Sequence, residues 1–208
     1  MPSVFRVRKI FRWLVNLIAK GLIKIRVTPN LATIIMLLFS ILSSISLAIF
    51  RNLFYFSIFV FITGIMDGCD GAIARLTNSS TKFGGFFDSF MDRCSEFFIF
   101  LGLLIYNKEQ FLWKWFDMKL IVLISFFASI MISYTRARAE VIFEGDYDIG
   151  LMARSERLFY LFITMLISFF YGYMQIFLFF FMCLVIVTLI FRTTRIYIQI
   201  KKIETLNV

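Results

Sequence analysis

The sequence predicts an all-α polytopic membrane protein, in which an N-terminal amphipathic interfacial helix precedes six transmembrane helices. Three observations predict this class. Of the 208 residues, 61% are hydrophobic and 17% are charged, whereas about a quarter of a soluble domain is charged. The mean hydropathy is +0.87. The apolar residues also fall in long runs, and the run 31–50 has no charge and is long enough to cross a hydrocarbon core of about 30 Å.

The first predicted element is the interfacial helix, over residues 1–27. Between Ser3 and Arg26, apolar side chains recur at helical spacing with Lys and Arg interleaved, which is typical of a helix lying in the headgroup plane. No long apolar core follows the basic start, so the pattern does not indicate a secretory signal peptide. The triplet 28–30, Thr-Pro-Asn, is expected to end this helix and to cap the next one.

Six apolar stretches follow as the predicted spans of a bundle over 31–191, with 192–208 as a cytoplasmic tail. The stretches are 31–50, 53–66, 86–106, 120–134, 158–173 and 176–191. The second stretch reaches Asp67 after about 21 Å of helix, so this carboxylate is expected inside the membrane boundary. No repeat or linker divides the sequence, which predicts a single domain over 1–208.

The distribution of basic residues predicts the orientation in the membrane. The chain has 22 Lys and Arg against 13 Asp and Glu, a formal net charge of +9. With six spans, 18 of the basic residues lie on the side of the termini and four on the other side. The positive-inside rule then puts the termini in the cytoplasm. The same asymmetry accounts for the basic excess without a nucleic-acid partner, and the predicted location is the cell membrane.

Two residue types exclude whole classes of site. Histidine is absent, which excludes Ser-His-Asp triads, His-ligated zinc and imidazole bases. Cys69, Cys94 and Cys183 form no CxxC pair, so we interpret them as small packing residues rather than disulfides or thiolate ligands. Asp146 and Asp148 lack an EF-hand pattern and are interpreted as solvated loop residues.

Four carboxylates within the apolar stretches form the candidate catalytic centre. Asp67 and Asp70 end the second stretch, and Asp88 and Asp92 begin the third. Ionisable groups inside a membrane are costly and mark functional sites. Spacings of three and four put each pair on one helix face, and a hairpin would let the two faces meet. Close carboxylates repel unless cations neutralise them, and an oxygen-only ligand set favours Mg²⁺, Mn²⁺ or Ca²⁺.

These acids belong to a longer pattern. The segment from Asp67 to Asp92 matches D-x-x-D-G-x-x-A-R-x8-G-x3-D-x3-D at every fixed position, and its other members are Gly71, Ala74, Arg75 and Gly84. The chain therefore resembles the CDP-alcohol phosphotransferase family over its whole length, including the interfacial helix and six spans. The resemblance implies two divalent ions, Mg²⁺ or Mn²⁺, with the ligands Asp67, Asp70, Asp88 and Asp92. It also implies that Asp92 is the catalytic base, although a metal-bound carboxylate is a weak base.

The implied reaction transfers a substituted phosphoryl group from a CDP-alcohol. An acceptor hydroxyl attacks the phosphorus distal to cytidine, and CMP leaves. By the family motif, the residues that bind the CDP donor are Gly71, Arg75, Thr81, Asn30 and Thr33. For Asn30 and Thr33, which belong to a T-P-N-x-x-T segment, the alternative is that they only cap the first membrane helix.

Two arginine-rich segments bear on the acceptor. Residues 133–140 read S-Y-T-R-A-R-A-E and residues 154–157 read R-S-E-R, which resembles the branch of the family that uses inositol 1-phosphate. A phosphate-bearing acceptor requires cations at the membrane surface. The candidates are Arg136, Arg154, Arg157 and a tail arginine, Arg192 or Arg195. The alternative is that these are ordinary flanking charges, with Arg136 paired to Glu140 along one helix.

The leading hypothesis is transfer from CDP-diacylglycerol or CDP-archaeol to inositol 1-phosphate in phospholipid biosynthesis, at the cytoplasmic face. Two alternatives involve the same reaction type. In one, CDP-inositol is the donor and the product is a soluble di-inositol phosphate, and in the other, glycerol 3-phosphate is the acceptor. Cation transport by the acids would leave the spacing of Gly71, Arg75 and Gly84 unexplained. The expected partners are a CDP-linked lipid, a phosphorylated polyol and membrane lipids, and the resemblance is compatible with a homodimer.

Overall fold

A computed structural model describes residues 10–108, 110–142 and 150–206, and these ranges contain seven helices and one two-stranded ladder. The helices are α1 (Arg12–Lys24), α2 (Pro29–Ala48), α3 (Leu53–Leu76), α4 (Lys82–Tyr106), α5 (Met118–Ile142), α6 (Arg154–Tyr171) and α7 (Met174–Leu206). Between α4 and α5, β1 (Phe111–Leu112) pairs antiparallel with β2 (Phe116–Asp117). The predicted all-α class is confirmed, with this ladder as a local exception. The start of the interfacial helix and the predicted Asp146 and Asp148 loop lie outside the described residues.

Four helices in the described ranges are long and apolar enough to cross a membrane, as in an integral membrane protein. They cover Pro29–Ala48, Leu53–Leu76, Met118–Ile142 and Met174–Lys202. The other two predicted spans correspond to α4, whose apolar sequence is interrupted by ionisable side chains, and α6, whose first turn is charged. The six-span arrangement therefore stays a prediction. The predicted tail continues α7 as helix to Leu206.

Side-chain caps explain where the helices around the acids begin. Thr28 caps α2, because its hydroxyl accepts a hydrogen bond from the backbone N–H of Leu31 at 3.3 Å. The predicted cap at 28–30 is thus confirmed. Thr81 caps α4 in the same way, accepting from the N–H of Gly84 at 2.9 Å. At the other end of the bundle, Gly172 ends α6 in the left-handed conformation, with φ of 77°.

Helix α2 is the scaffold that brings the two acidic segments together. Both α3 and α4 pack along α2 far more extensively than they pack on each other. The approach of α4 is so close that a Cβ atom on Gly102 would lie 2.8 Å from the Cα of Ser44. Small residues allow such approaches between membrane helices. The faces of the acidic hairpin therefore meet mainly because both helices share a partner.

The remaining helices enclose this core. Helix α6 packs on α3, and α5 packs on α7. Helix α1 lies against α3, where a Cβ atom on Gly68 would come within 3.1 Å of the Val15 side chain. Ala19 of α1 is buried, whereas Trp13 and Leu17 are exposed. This amphipathic helix thus covers the end of α3 that carries the acids.

Candidate active site

Three of the four predicted acids converge. Asp67 of α3 and Asp88 and Asp92 of α4 each offer a carboxylate oxygen, and these oxygens lie within 4.8 Å of one another. The Oδ1 atom of Asp88 is buried and has no hydrogen-bond donor among the described residues. A cluster of carboxylate oxygens with a spare buried acceptor suits a hard divalent cation such as Mg²⁺ or Mn²⁺. The residues therefore fit the expected metal.

Asp70 lies beside this trio and is held by hydrogen bonds. The hydroxyl of Thr33 donates to Asp70 Oδ2 at 2.9 Å, and the backbone N–H of Gly71 donates to Oδ1 at 2.5 Å. Asp70 is buried, with 5% of its surface exposed. The capping residue of α2 is Thr28, and Asn30 and Thr33 lie inside the helix. The alternative that these two residues only cap the helix is therefore wrong.

Arg154, at the start of α6, forms ion pairs with the acid cluster. Its Nη1 atom forms ion pairs with Oδ1 of Asp67 and, at 2.5 Å, with Oδ1 of Asp92. Its Nη2 atom donates to the hydroxyl of Ser95 at 2.7 Å. An arginine side chain is always protonated in proteins. The guanidinium therefore stays charged and offsets part of the negative charge.

A second arginine of α6 makes a separate, fully buried ion pair. The Nε and Nη2 atoms of Arg157 donate to the two carboxylate oxygens of Glu96 at 2.8 and 3.1 Å. Its Nη1 atom donates to the carbonyl oxygen of Met152 at 3.0 Å. The side chains of Arg157 and Glu96 are 1% and 4% exposed. This bidentate pair links α6 to α4 one helical turn beyond Arg154 and Asp92.

All five residues predicted for the CDP donor line one cavity of about 610 Å³ beside Asp70. They are Asn30, Thr33, Gly71, Arg75 and Thr81. Gly84 also lines this cavity, and a Cβ atom there would lie 3.0 Å from the Thr81 hydroxyl oxygen and 3.6 Å from Asn30 Oδ1. Gly84 thus leaves space between Thr81, which caps α4, and Asn30 of α2.

Four of the predicted acceptor arginines line a second cavity, of about 710 Å³, which the four acids also line. These arginines are Arg136, Arg154, Arg157 and Arg192. Arg192 is 2% exposed, and its Nη1 atom donates to the carbonyl oxygen of Ile132 at 2.9 Å. Arg136 also pairs with Glu140 at 2.8 Å, as the flanking-charge alternative expects.

Arg195, the other predicted tail arginine, lies away from this cavity. Its side chain is exposed, and its guanidinium carbon lies 5.3 Å from the ring centroid of Phe191. On α7, the side chain of residue 192 is buried and that of residue 195 is exposed. Of the two tail arginines, Arg192 is therefore the one that lines the cavity.

Sequence reasoning missed some lining residues. Arg12 and Asn16 of α1 line the arginine-rich cavity, because α1 packs on α3 beside the acids. Glu96 lines it too, and one sequence signal marks it: it lies four residues after Asp92, on the same face of α4. A charged residue in an apolar helix requires a partner, and Arg157 is that partner.

Comparison with known proteins identifies the family. The family model described as CDP-alcohol phosphatidyltransferase matches residues 26–191 of this chain. The chain belongs to this family. The recognition made from the acidic signature is confirmed, and the protein is a transferase of substituted phosphate groups.

Relatives of the transferase extend the comparison. Archaetidylinositol phosphate synthase of Pyrococcus horikoshii is 36% identical over 151 residues, which are 73% of this chain and 76% of that protein. Phosphatidylinositol phosphate synthase of Mycobacterium tuberculosis has been solved with CDP-DAG bound. It superposes with a TM-score of 0.75 at 27% identity, over 88% of this chain and 93% of that chain. Its complex with manganese and citrate gives a TM-score of 0.76 at 27% identity, over 88% of each chain.

Proposed function

We propose that this transferase moves the phosphatidyl or archaetidyl group of CDP-diacylglycerol or CDP-archaeol to inositol 1-phosphate, with release of CMP. One observation carries the proposal. The acid cluster lines a cavity that is also lined by seven arginines of the described ranges, four of which are predicted for the acceptor. Asp70 and Asp88 also line the adjoining cavity, where all the donor residues of the family motif lie. The names of the relatives support it, since the proteins from P. horikoshii and M. tuberculosis are both inositol phosphate lipid synthases.

The proposed metal ligands are Asp67, Asp88 and Asp92, with Asp70 beside them as the fourth acid of the signature. The manganese in the M. tuberculosis structure supports Mn²⁺ or Mg²⁺ as the cofactor, and two ions are the family expectation. When bound, the metal neutralises the pyrophosphate and polarises the phosphorus under attack. Asp67 and Asp92 also contact Arg154, so the cluster is partly neutralised by the chain itself.

The remaining steps belong to residues of this chain. The residues lining the donor cavity hold the CDP group, with Arg75 as a cation for its phosphates. Arg154 and Arg192, with Arg136 nearer the cavity mouth, bind the phosphate of the acceptor. Asp92 accepts the proton of the acceptor hydroxyl while the new O–P bond forms. The bond between the donor phosphorus and CMP breaks, and CMP leaves with the electron pair.

The proposal includes the arrangement of the chain in the membrane. The donor is a lipid, so its reacting phosphorus has to lie near the headgroup level. We therefore propose one domain with six spans, in which α4 and α6 complete the four long apolar helices. By the positive-inside rule, the active site faces the cytoplasm at the cell membrane. Homodimeric assembly is carried over from the family resemblance alone.

The first experiment is CMP release by the purified protein with Mg²⁺ or Mn²⁺. CDP-diacylglycerol, CDP-archaeol and CDP-inositol are each combined with inositol 1-phosphate, glycerol 3-phosphate and serine. The proposal expects release with inositol 1-phosphate and at least one CDP-lipid. Release only with glycerol 3-phosphate would overturn the proposed acceptor, and release only with CDP-inositol would overturn the lipid donor.

The two tail arginines provide a matched test of the acceptor cavity. Arg192→Gln is expected to raise the KM for inositol 1-phosphate at least about tenfold and to change the KM for the CDP-lipid much less, because it removes a charge from the acceptor side only. Arg195→Gln, three residues away and exposed, is the control and should behave as wild type. An equal rise in the KM for both substrates in Arg192→Gln would contradict the assignment of this cavity to the acceptor. A similar rise in the KM for inositol 1-phosphate in Arg195→Gln would also contradict it.

A further inference from the structure

Arg154 contacts the acid cluster through one end of its guanidinium. The Nη1 atom alone contacts both Asp67 and Asp92, and Nη2 donates to Ser95. A further contact of Nη2, at 3.4 Å, is with the sulfur of Met36, which is a weak acceptor. The Nε atom is buried and has no hydrogen-bond partner among the described residues. One donor of this buried cation is therefore unused.

Arg157 provides the comparison on the same helix. It contacts both oxygens of Glu96 in a bidentate pair and uses its third arm on the Met152 carbonyl. A guanidinium paired in this way gains no hydrogen bond by changing its rotamer. Arg154 has no bidentate partner and keeps an unused donor, Nε. The two arginines, three residues apart, thus differ in how completely their donors are used.

The atoms that Arg154 contacts are ones that a metal ion needs. Asp67 and Asp92, with Asp88, supply the oxygens that lie within 4.8 Å of one another. A guanidinium in contact with these carboxylates competes with a divalent cation for them, because the two positive charges repel at this distance. Arg154 already lines the 710 Å³ cavity, so a change of side-chain rotamer moves its head towards that space. Arg192 and Arg136 line the same cavity, and an anion there offsets the repulsion among the three.

We propose that Arg154 is an exchangeable counter-ion, which leaves Asp67 and Asp92 when the divalent ion binds and then binds the phosphate of the acceptor. This inference rests on the proposed function, since it takes a phosphorylated acceptor as the second ligand. Metal binding and acceptor binding are then coupled with a positive sign. Because coupling free energy is reciprocal, the acceptor must tighten metal binding as much as the metal tightens acceptor binding.

The first measurement is the Kd of Mn²⁺ for the full-length protein in detergent, from the EPR signal of free Mn²⁺. Arg154→Gln is expected to bind Mn²⁺ at least about tenfold more tightly than wild type without acceptor, because the competing cation is gone. Arg93→Gln is the control. Arg93 lies 3.9 Å from Oδ2 of Asp92 and is 36% exposed, so it is close to the cluster without competing for the same oxygen. Its removal should change the Kd less than about threefold.

The second measurement repeats the titration with saturating inositol 1-phosphate. Wild type should bind Mn²⁺ at least about fivefold more tightly in its presence, and Arg154→Gln should show almost no change. An unchanged or weaker Mn²⁺ affinity in Arg154→Gln would overturn the inference, and so would an equal effect of inositol 1-phosphate in both proteins. The wild-type titration requires no variant, and absence of coupling there would overturn the inference even if Arg154→Gln failed to fold.

The assay of CMP release separates this inference from the proposed function. If the wild-type protein releases CMP with inositol 1-phosphate, but neither Arg154→Gln nor inositol 1-phosphate tightens Mn²⁺ binding, the proposed function stands and the exchange is overturned. If Arg154→Gln binds Mn²⁺ more tightly, but the wild-type protein accepts only glycerol 3-phosphate, the proposed acceptor is overturned. The exchange then stands if glycerol 3-phosphate produces the wild-type coupling, and it is overturned if glycerol 3-phosphate does not.

Discussion

Replacing Asp88 by Asn should lower CMP release at least about a thousandfold while the protein stays folded. Asn has the same shape but lacks the negative charge and one of the two acceptor oxygens, so it is a poor ligand for a divalent cation. No described residue donates a hydrogen bond to Oδ1 of Asp88, and the loss of a like charge beside Asp67 and Asp92 relieves repulsion. Thermal stability in detergent without added metal should therefore be equal to or above that of wild type.

The matched control is Asp117→Asn. Asp117 lies in β2, beyond the opposite end of α4 from Asp88, and its Oδ1 accepts a hydrogen bond from the N–H of Lys119 at 2.8 Å. The control should retain wild-type activity. Asp88→Asn should also bind Mn²⁺ more weakly. An Asp88→Asn protein with more than about a tenth of wild-type activity would contradict the role of this carboxylate as a metal ligand.

Glu96→Gln should destabilise the fold by about 3–5 kcal/mol. The substitution leaves the guanidinium of Arg157 buried without its counter-ion, and both side chains are almost completely inaccessible to solvent. For a chain of this length, the change corresponds to a fall in Tm of roughly 10 °C or more. The measurement is thermal unfolding in detergent, followed by circular dichroism or by the fluorescence of a thiol-reactive dye.

Glu140→Gln is the control for this prediction. Glu140 also pairs with an arginine at 2.8 Å, but the side chains of Arg136 and Glu140 are 45% and 43% exposed. Solvent screens such a pair, so the loss should stay below about 1 kcal/mol. If Glu96→Gln and Glu140→Gln had the same small effect, the bidentate pair would not be what holds α6 against α4.

Local spacing was sufficient to predict that the acids share helix faces, whereas the residues of the donor cavity were predicted from the family motif. Asp67, Asp88 and Asp92 were identified because helical periodicity and one hairpin determine which side chains share a face. Asn30 and Thr33 were predicted from the T-P-N-x-x-T segment of the family, and they lie on the first turns of α2, after the cap at Thr28. These residues are close in sequence to an element boundary, and boundaries are well marked by caps.

Contacts across the bundle were not predictable in this way. Whether Arg154 contacts the acids or points into the cavity depends on the rotation of α6 against α4, which periodicity within α6 does not specify. The pairing of Arg157 with Glu96 depends on the same rotation. The packing of α1 on α3 could not be predicted from its sequence either. An amphipathic helix has the same sequence signature whether it lies on a lipid surface or on a protein surface.

The two cavities share a wall, and this has a consequence for kinetics and stereochemistry. Asp70, Gly71, Arg75 and Asp88 line both of them, so the two cavities adjoin at the same carboxylates. On the proposed function, the acceptor oxygen can reach the donor phosphorus directly, and no side chain has to carry the transferred group. The reaction is then a single displacement through a ternary complex. Its initial-rate plots intersect, and the configuration at phosphorus inverts.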